Sequence, residues 1–399
     1  MSEDVIVRDA LDTYVPLRPD RLPAWSDVVE RAGSTGGAPS ESRTLRWRPR
    51  RRRRMVIAFA VAAALVVALG TASALAVRDL IVGSSSAQAG SPTWSSDGRR
   101  IAYVVSHDGR DDVYVMNADG SGQRMLRRNA AGPAWSPDGR KLAFIGAHGD
   151  PRRIVARPDV YVWNAGVGGL RKLAHTAWSW PVWLPDGRLA IEKGKGCPPC
   201  SWNSELWVMN ADGSERRLVM SGGLGRIDWS PDGRSIALEY SPRPHRPGIY
   251  VMNADGSGRR WLADGTRPLW SPRGDVIAFR AADRDAGLWS INADGSGERT
   301  LTTHLYAVDG SQGYAWSPDV QKIVFTFGRF PADIRDTEIY VMNADGSGPR
   351  NLTRHEGADD HAAWSPDGRK IAFSHSGQIY VMNADGSGQR NLSEKGKAP

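Results

Sequence analysis

Between residues 91 and 395 apolar and polar positions alternate in short runs, and the runs recur as a set. The last set is the plainest. Residues 362–365 (Ala-Ala-Trp-Ser) predict a short strand, Pro366-Asp367-Gly368 a tight turn and residues 370–374 (Lys-Ile-Ala-Phe-Ser) a second strand, since Asp-Gly supplies the positive-φ chemistry of a hairpin. Residues 378–382 predict a third strand, in which Ile379 and Val381 face one way and Tyr380 and Met382 the other, so both of its faces must be covered. After the turn Asn383-Ala384-Asp385-Gly386-Ser387-Gly388, residues 389–393 are mostly polar and predict an edge strand facing water.

Seven copies of this set follow one another. Their anchoring tryptophans are Trp94, Trp135, Trp183, Trp229, Trp270, Trp316 and Trp364, at spacings of 41, 48, 46, 41, 46 and 48 residues. A period of that length is the mark of a repeat architecture. A four-stranded meander that is apolar on both sides cannot bury its faces alone, whereas seven in a ring can, because closure gives every sheet two partners. The predicted fold is therefore all-β, a seven-bladed β-propeller of four-stranded blades. An open β-solenoid is the competing arrangement, and the Trp and Asp-Gly in every unit favour blades over it.

The repeated Trp-Ser-Pro-Asp-Gly-Arg, Ile-Ala-Phe and Ile-Tyr-Val-Met-Asn-Ala-Asp-Gly-Ser-Gly resemble the WD-like repeats of the TolB-type β-propellers, from about residue 91 to residue 393. The resemblance implies the fold; function is left open, because that scaffold hosts binding proteins, lyases and peptidase gating domains. Some copies depart from the pattern. Ser96 and Leu184 stand where Pro and Ser are usual, Arg273-Gly274-Asp275 alters the fifth copy, and Val320 follows Asp319 in the sixth. The second copy has Asn164-Ala165-Gly166-Val167-Gly168-Gly169 in place of the Asn-Ala-Asp-Gly-Ser-Gly turn.

The segments before the repeats change the picture. Residues 55–77 carry no charge over 23 positions, which as a helix at ~1.5 Å per residue is long enough to cross a hydrocarbon core. The Arg-rich residues 46–54 before it predict, by the positive-inside rule, a cytoplasmic amino terminus and an extracytoplasmic propeller. Ala74-Leu75-Ala76 resembles a signal-peptidase site, the alternative being an export signal that is cleaved. Residues 1–45 predict a short cytoplasmic tail with one or two amphipathic helices at most, either disordered or docking a cytoplasmic partner, and residues 78–90 a short tether. The net charge of +8 is spread between the two parts of the chain, so no nucleic-acid partner is expected.

In a meander the Pro-Asp-Gly and Asn-Ala-Asp-Gly turns share one rim, which is short and uniform. The links from second to third strand and from blade to blade share the other, which varies, and any grafted site is expected there. The third blade carries His175, Trp178 and Trp180 before its first strand and Lys193, Lys195, Cys197, Cys200 and Trp202 in its internal link. The tryptophans predict either a stacking surface for a sugar or an apolar side chain, or a cap on the blade. Cys197 and Cys200, the two cysteines of the chain, predict a disulfide clip. Arg152, Arg153 and Arg243 of neighbouring links extend a basic arc suited to an anionic polymer.

His304, His355, Asp359, Asp360 and His361 precede the sixth and seventh blades and offer His and carboxylate ligands for a divalent metal, although their spacing is no ligand signature. Asn-Ala-Asp-Gly-Ser-Gly lacks the alternating acids of a calcium loop and predicts an Asx turn. No Gly-x-Ser-x-Gly elbow occurs, and no cofactor is expected. These readings predict a membrane-anchored scaffold that binds a protein or an envelope polymer. A propeller lyase or hydrolase and a sensor coupled to residues 1–45 are the alternatives.

Overall fold

A computed structural model of the chain describes residues 88–107, 109–147, 158–174, 180–194, 204–241, 248–282, 287–302, 313–328, 337–354 and 356–393. The tail, the Arg-rich run and the apolar segment 55–77 lie outside these residues. Among the described residues no helix is long and apolar enough to cross a membrane.

Seven four-stranded antiparallel sheets make up the described chain, each built from consecutive strands. They are blades 1 to 7, at residues 88–127, 130–174, 182–221, 224–263, 265–302, 314–351 and 359–391. The first strand of blade 1, Gln88–Trp94, opens three residues earlier than the repeat predicts. In blade 7 the first strand is Asp359–Trp364, so Asp359, Asp360 and His361 lie within a strand and not in a loop leading to it.

The apolar residues form seven clusters, and each is shared by two blades. On blade 7, Ile371, Phe373 and Met382 pack with Val324, Ile339, Val341 and Leu352 of blade 6. Ala372, Ile379, Val381 and Leu392 point the other way and pack with Trp94, Ile101, Tyr103 and Met116 of blade 1. The period of two along each strand puts bulky side chains on the face toward the preceding blade and smaller ones on the face toward the next. No blade owns a core.

Two polar contacts repeat across these interfaces. In five of the seven blades the indole N–H of the anchoring Trp donates to the carbonyl of the residue before the preceding blade's Trp, as Trp135 does to Thr93 at 3.2 Å, Trp183 to Ala134 at 2.9 Å and Trp364 to Ala315 at 3.3 Å, while Trp229 and Trp270 leave theirs without a partner among the described residues. At the other side, a fourth-strand Arg reaches the next blade's Asn-Ala-Asp-Gly turn, as Arg217 does to Ala254 O at 3.1 Å and Arg299 to Ala344 O at 3.3 Å. Blade 2 lacks the Asp of that turn. There Arg124 of blade 1 lies 5.2 Å from the Trp163 ring, and Trp163 occupies the place that Met holds in five of the other six blades.

The sequence leaves ring closure open, and the structure resolves it. No strand is exchanged between blades 1 and 7. The closing interface uses the same devices as the others: Trp94 Nε1 donates to Ala363 O at 3.2 Å and Arg390 to Asp119 O at 3.2 Å. Ala89 N donates in addition to Gly377 O at 2.6 Å, and Ser374 Oγ to Ala89 O at 2.9 Å.

Candidate functional site

First strands touch one another at five of the seven blade junctions, so this is the inner side of the ring. Three residues before each anchoring Trp the repeat breaks down. These positions are Ser91, Gly132, Trp180, Arg226, Arg267, Gly313 and His361. The register shifts just there in blades 1, 2, 4, 5 and 7. Ser91, Arg267 and His361 accordingly sit at φ of 51°, 57° and 55°, a conformation side chains adopt rarely. The bulges take this position out of the strand's alternation, and across the copies it holds Ser, Gly, Trp, Arg or His.

A cavity of about 480 Å³ opens among these residues, lined by blades 7, 1 and 2 with Trp180 of blade 3. Gln88, Ser106, Ser376 and Gly377 are part of its wall, which places it on the variable rim, at the seam between the first and last blades. The rim is low at the seam for a local reason. Blade 1 pairs His107 with Arg110 and blade 7 pairs His375 with Gln378, so both second-to-third links are two-residue turns. In blade 7 that turn is Ser376-Gly377, at φ of 46° and 73°, the positive-φ pair of a type I′ hairpin.

Within the cavity wall Asp360 Oδ1 lies 2.6 Å from His361 Nδ1. Ser106 Oγ donates to Asp111 Oδ1 at 2.6 Å. Trp180 is 38% exposed, and it is flanked by both neighbours. A Cβ on Gly132 would come within 2.4 Å of its ring, and the Arg226 guanidinium stands 4.9 Å from the ring centre. Burial, and then the like charge of Arg267, pull Arg226 below its ordinary value. The Tyr314 hydroxyl donates to Arg267 O on the same side of the channel.

The predicted site residues divide accordingly. Trp180, Asp360 and His361 come together in one cavity wall. Asp359, two residues away from His361 along the same strand, is fully buried and meets His375 Nδ1 at 2.7 Å inside the sheet, so it does not line the cavity. Lys193 packs 4.7 Å from the Trp207 ring of its own blade, and burial lowers its pKa. His175, Trp178, Trp202, Cys197, Cys200, Arg152, Arg153, Arg243, His304 and His355 lie outside the described residues. Among the described residues no three His, Cys, Asp or Glu side chains gather as a metal site. Ser91, Asp111 and Gly132 escaped the sequence reading. Their signal was position, three residues before a Trp or facing a two-residue turn, where motif composition says nothing.

Comparison with known proteins bears on the fold and the family. TolB from Acinetobacter baumannii superposes with a TM-score of 0.50 at 20% identity, over 65% of this chain and 65% of that one. The chain thus spans slightly less than two thirds of that protein's length. An oligogalacturonate lyase from Vibrio parahaemolyticus superposes with a TM-score of 0.58 at 14% identity, over 74% of this chain and 91% of the lyase. The β-propeller domain of the Trilobed protease from Pyrococcus furiosus, described as having an open velcro topology, gives 0.56 at 14% identity over 78% and 99%. At such identities the likeness concerns fold alone. The family profile of the TolB beta propeller domain matches residues 46–196 and 306–398, more than half of the sequence, and the chain therefore belongs to the TolB β-propeller family.

Proposed function

We propose that this protein is a binding scaffold: a propeller held outside the cytoplasm by the apolar segment 55–77, which takes a protein or envelope-polymer partner on its variable rim. One observation carries the reading. The seam cavity is walled by side chains that the repeat does not require, Trp180, Asp360 and His361 among them, while the opposite rim repeats the same turn almost unchanged around the ring. Sites are grafted where a scaffold tolerates variation. The TolB β-propeller family supports a binding role.

A photo-reactive amino acid placed at Gln88 or Ser376, compared with one at Ser257 on the uniform rim, tests this in cells. Adducts of one defined mass from the first two positions and none from Ser257 are expected. Adducts of equal yield from both rims would overturn the reading. Protease protection of the carboxyl-terminal blades in intact cells, lost on permeabilisation, checks the topology.

A further inference from the structure

Resting on that reading of the rim, we propose that the seam cavity is a saccharide subsite, which takes an uncharged, polyhydroxylated ring from a neutral glycan. The charge of the wall selects first. Among the described residues neither Lys nor Arg lines the cavity; Asp111, Asp360 and His361 do, the last held against Asp360. Each of the two carboxylates has one oxygen engaged, Asp111 by Ser106 and Asp360 by His361, and no further partner among the described residues. Two carboxylate oxygens are therefore left to accept hydrogen bonds from a ligand, and their charge disfavours uronates and phosphates.

Donors in the same wall separate a sugar from a cation. Gln88 brings an amide N–H₂, and Ser91 and Ser376 bring hydroxyls. An ammonium or guanidinium satisfies the carboxylates and leaves these donors unmatched, a cost in a partly buried site. Sugar hydroxyls donate and accept in turn and match both sets. Gly90 and Ala131 keep the floor low, and the Trp180 ring, which lies over Gly132, offers an apolar surface to the C–H face of a pyranose. The volume, about 480 Å³, falls in the ~300–1,000 Å³ range of small-ligand pockets. A sugar held here contacts blades 1 and 7 together, so binding also fastens the seam and raises the melting temperature.

The full-length chain is titrated with neutral tetrasaccharides of glucose, mannose and N-acetylglucosamine, and with tetragalacturonate and tetralysine, by calorimetry and by thermal shift. Saturable binding of at least one neutral sugar is expected, weakened about tenfold or more in Asp111→Ala and in Asp360→Ala, with little change for Trp261→Ser on the outer edge of blade 4. Should Asp360→Ala fail to fold, Gln88→Leu gives the same readout at an exposed position. Aspartate-dependent binding of tetralysine or tetragalacturonate without any neutral sugar overturns the proposal. So does sugar binding that is indifferent to both aspartates, or no binding by any probe. Persisting adducts from Gln88 and Ser376 in those cases leave the rim reading standing, and their absence removes it as well.

Discussion

Asp228 stands one residue before the Trp229 anchor of blade 4, and its carboxylate accepts from Trp270 N at 2.7 Å. The residue is half-buried. Enclosure governs its ionisation, and burial pushes the pKa up to about 7 against the backbone hydrogen bonds from Trp270 and Trp229. A folded pKa above the unfolded value of 3.8 means the native state holds the extra proton between those limits. Stability from this group is therefore lost as pH rises from about 4 to about 7. Asp228→Asn should flatten the urea midpoint across that window and stabilise the protein at pH 8, by at most a few kcal/mol. An unchanged slope would place the proton elsewhere. The turn aspartates act in the opposite sense and lower down: the Ser387 hydroxyl, then the Ser387 N–H, hold Asp385 below its ordinary value, so that contribution is lost only in acid.

A second prediction at this scale concerns the one blade whose turn lacks the aspartate. If Trp163 compensates for it, a double-mutant cycle on Arg124 and Trp163 should show a coupling of about 0.5–1 kcal/mol. Zero coupling would reduce the 5.2 Å approach to mere proximity.

The blade as an element was legible in the sequence because its determinants are local. Period two gave the strands, Asp-Gly the turns and the two-faced third strand the need for neighbours. Strand limits were less so: the fourth strand of blade 7 is Arg390–Asn391 alone, since only those residues pair with Val381 and Tyr380. The first-strand bulges were hidden, because a residue at positive φ such as His361 or Arg267 has no compositional mark when glycine is not used. The cavity was hidden for the same reason, and because it unites residues some 285 positions apart, as the Ser374–Ala89 contact does. Attention to the unusual third blade found Trp180 and overlooked blade 1, whose short turn is what leaves the rim open.

Gly256 tests how closely blades approach. It sits at φ 92°, and a Cβ there would lie 2.3 Å from Val219 O of blade 3, a backbone atom that cannot swing aside. Gly256→Ala should cost about 2 kcal/mol or more, strain and overlap together. The same change at Gly169, where nothing lies within 4 Å, should cost well under 1 kcal/mol. Equal losses in urea unfolding would show that the turns do not seat on the preceding blade.

At the scale of the molecule, every core belongs to two blades, so stability is a property of the circle and its seam is one interface among seven. The seam also carries the cavity, since Ala89 and Ser91 of blade 1 face Asp360 and Ser376 of blade 7 across it. An open ring would have no such site. Ala372 and Ala237 hold the same place in their second strands, both fully buried, one against blade 1 across the seam and the other against blade 5. The most direct measurement is urea unfolding of Ala372→Leu beside Ala237→Leu in the full-length chain. Closure predicts that the two substitutions cost the same within error, about 1–3 kcal/mol of overpacking each. A seam variant as stable as the parent, with Ala237→Leu destabilised, would contradict it.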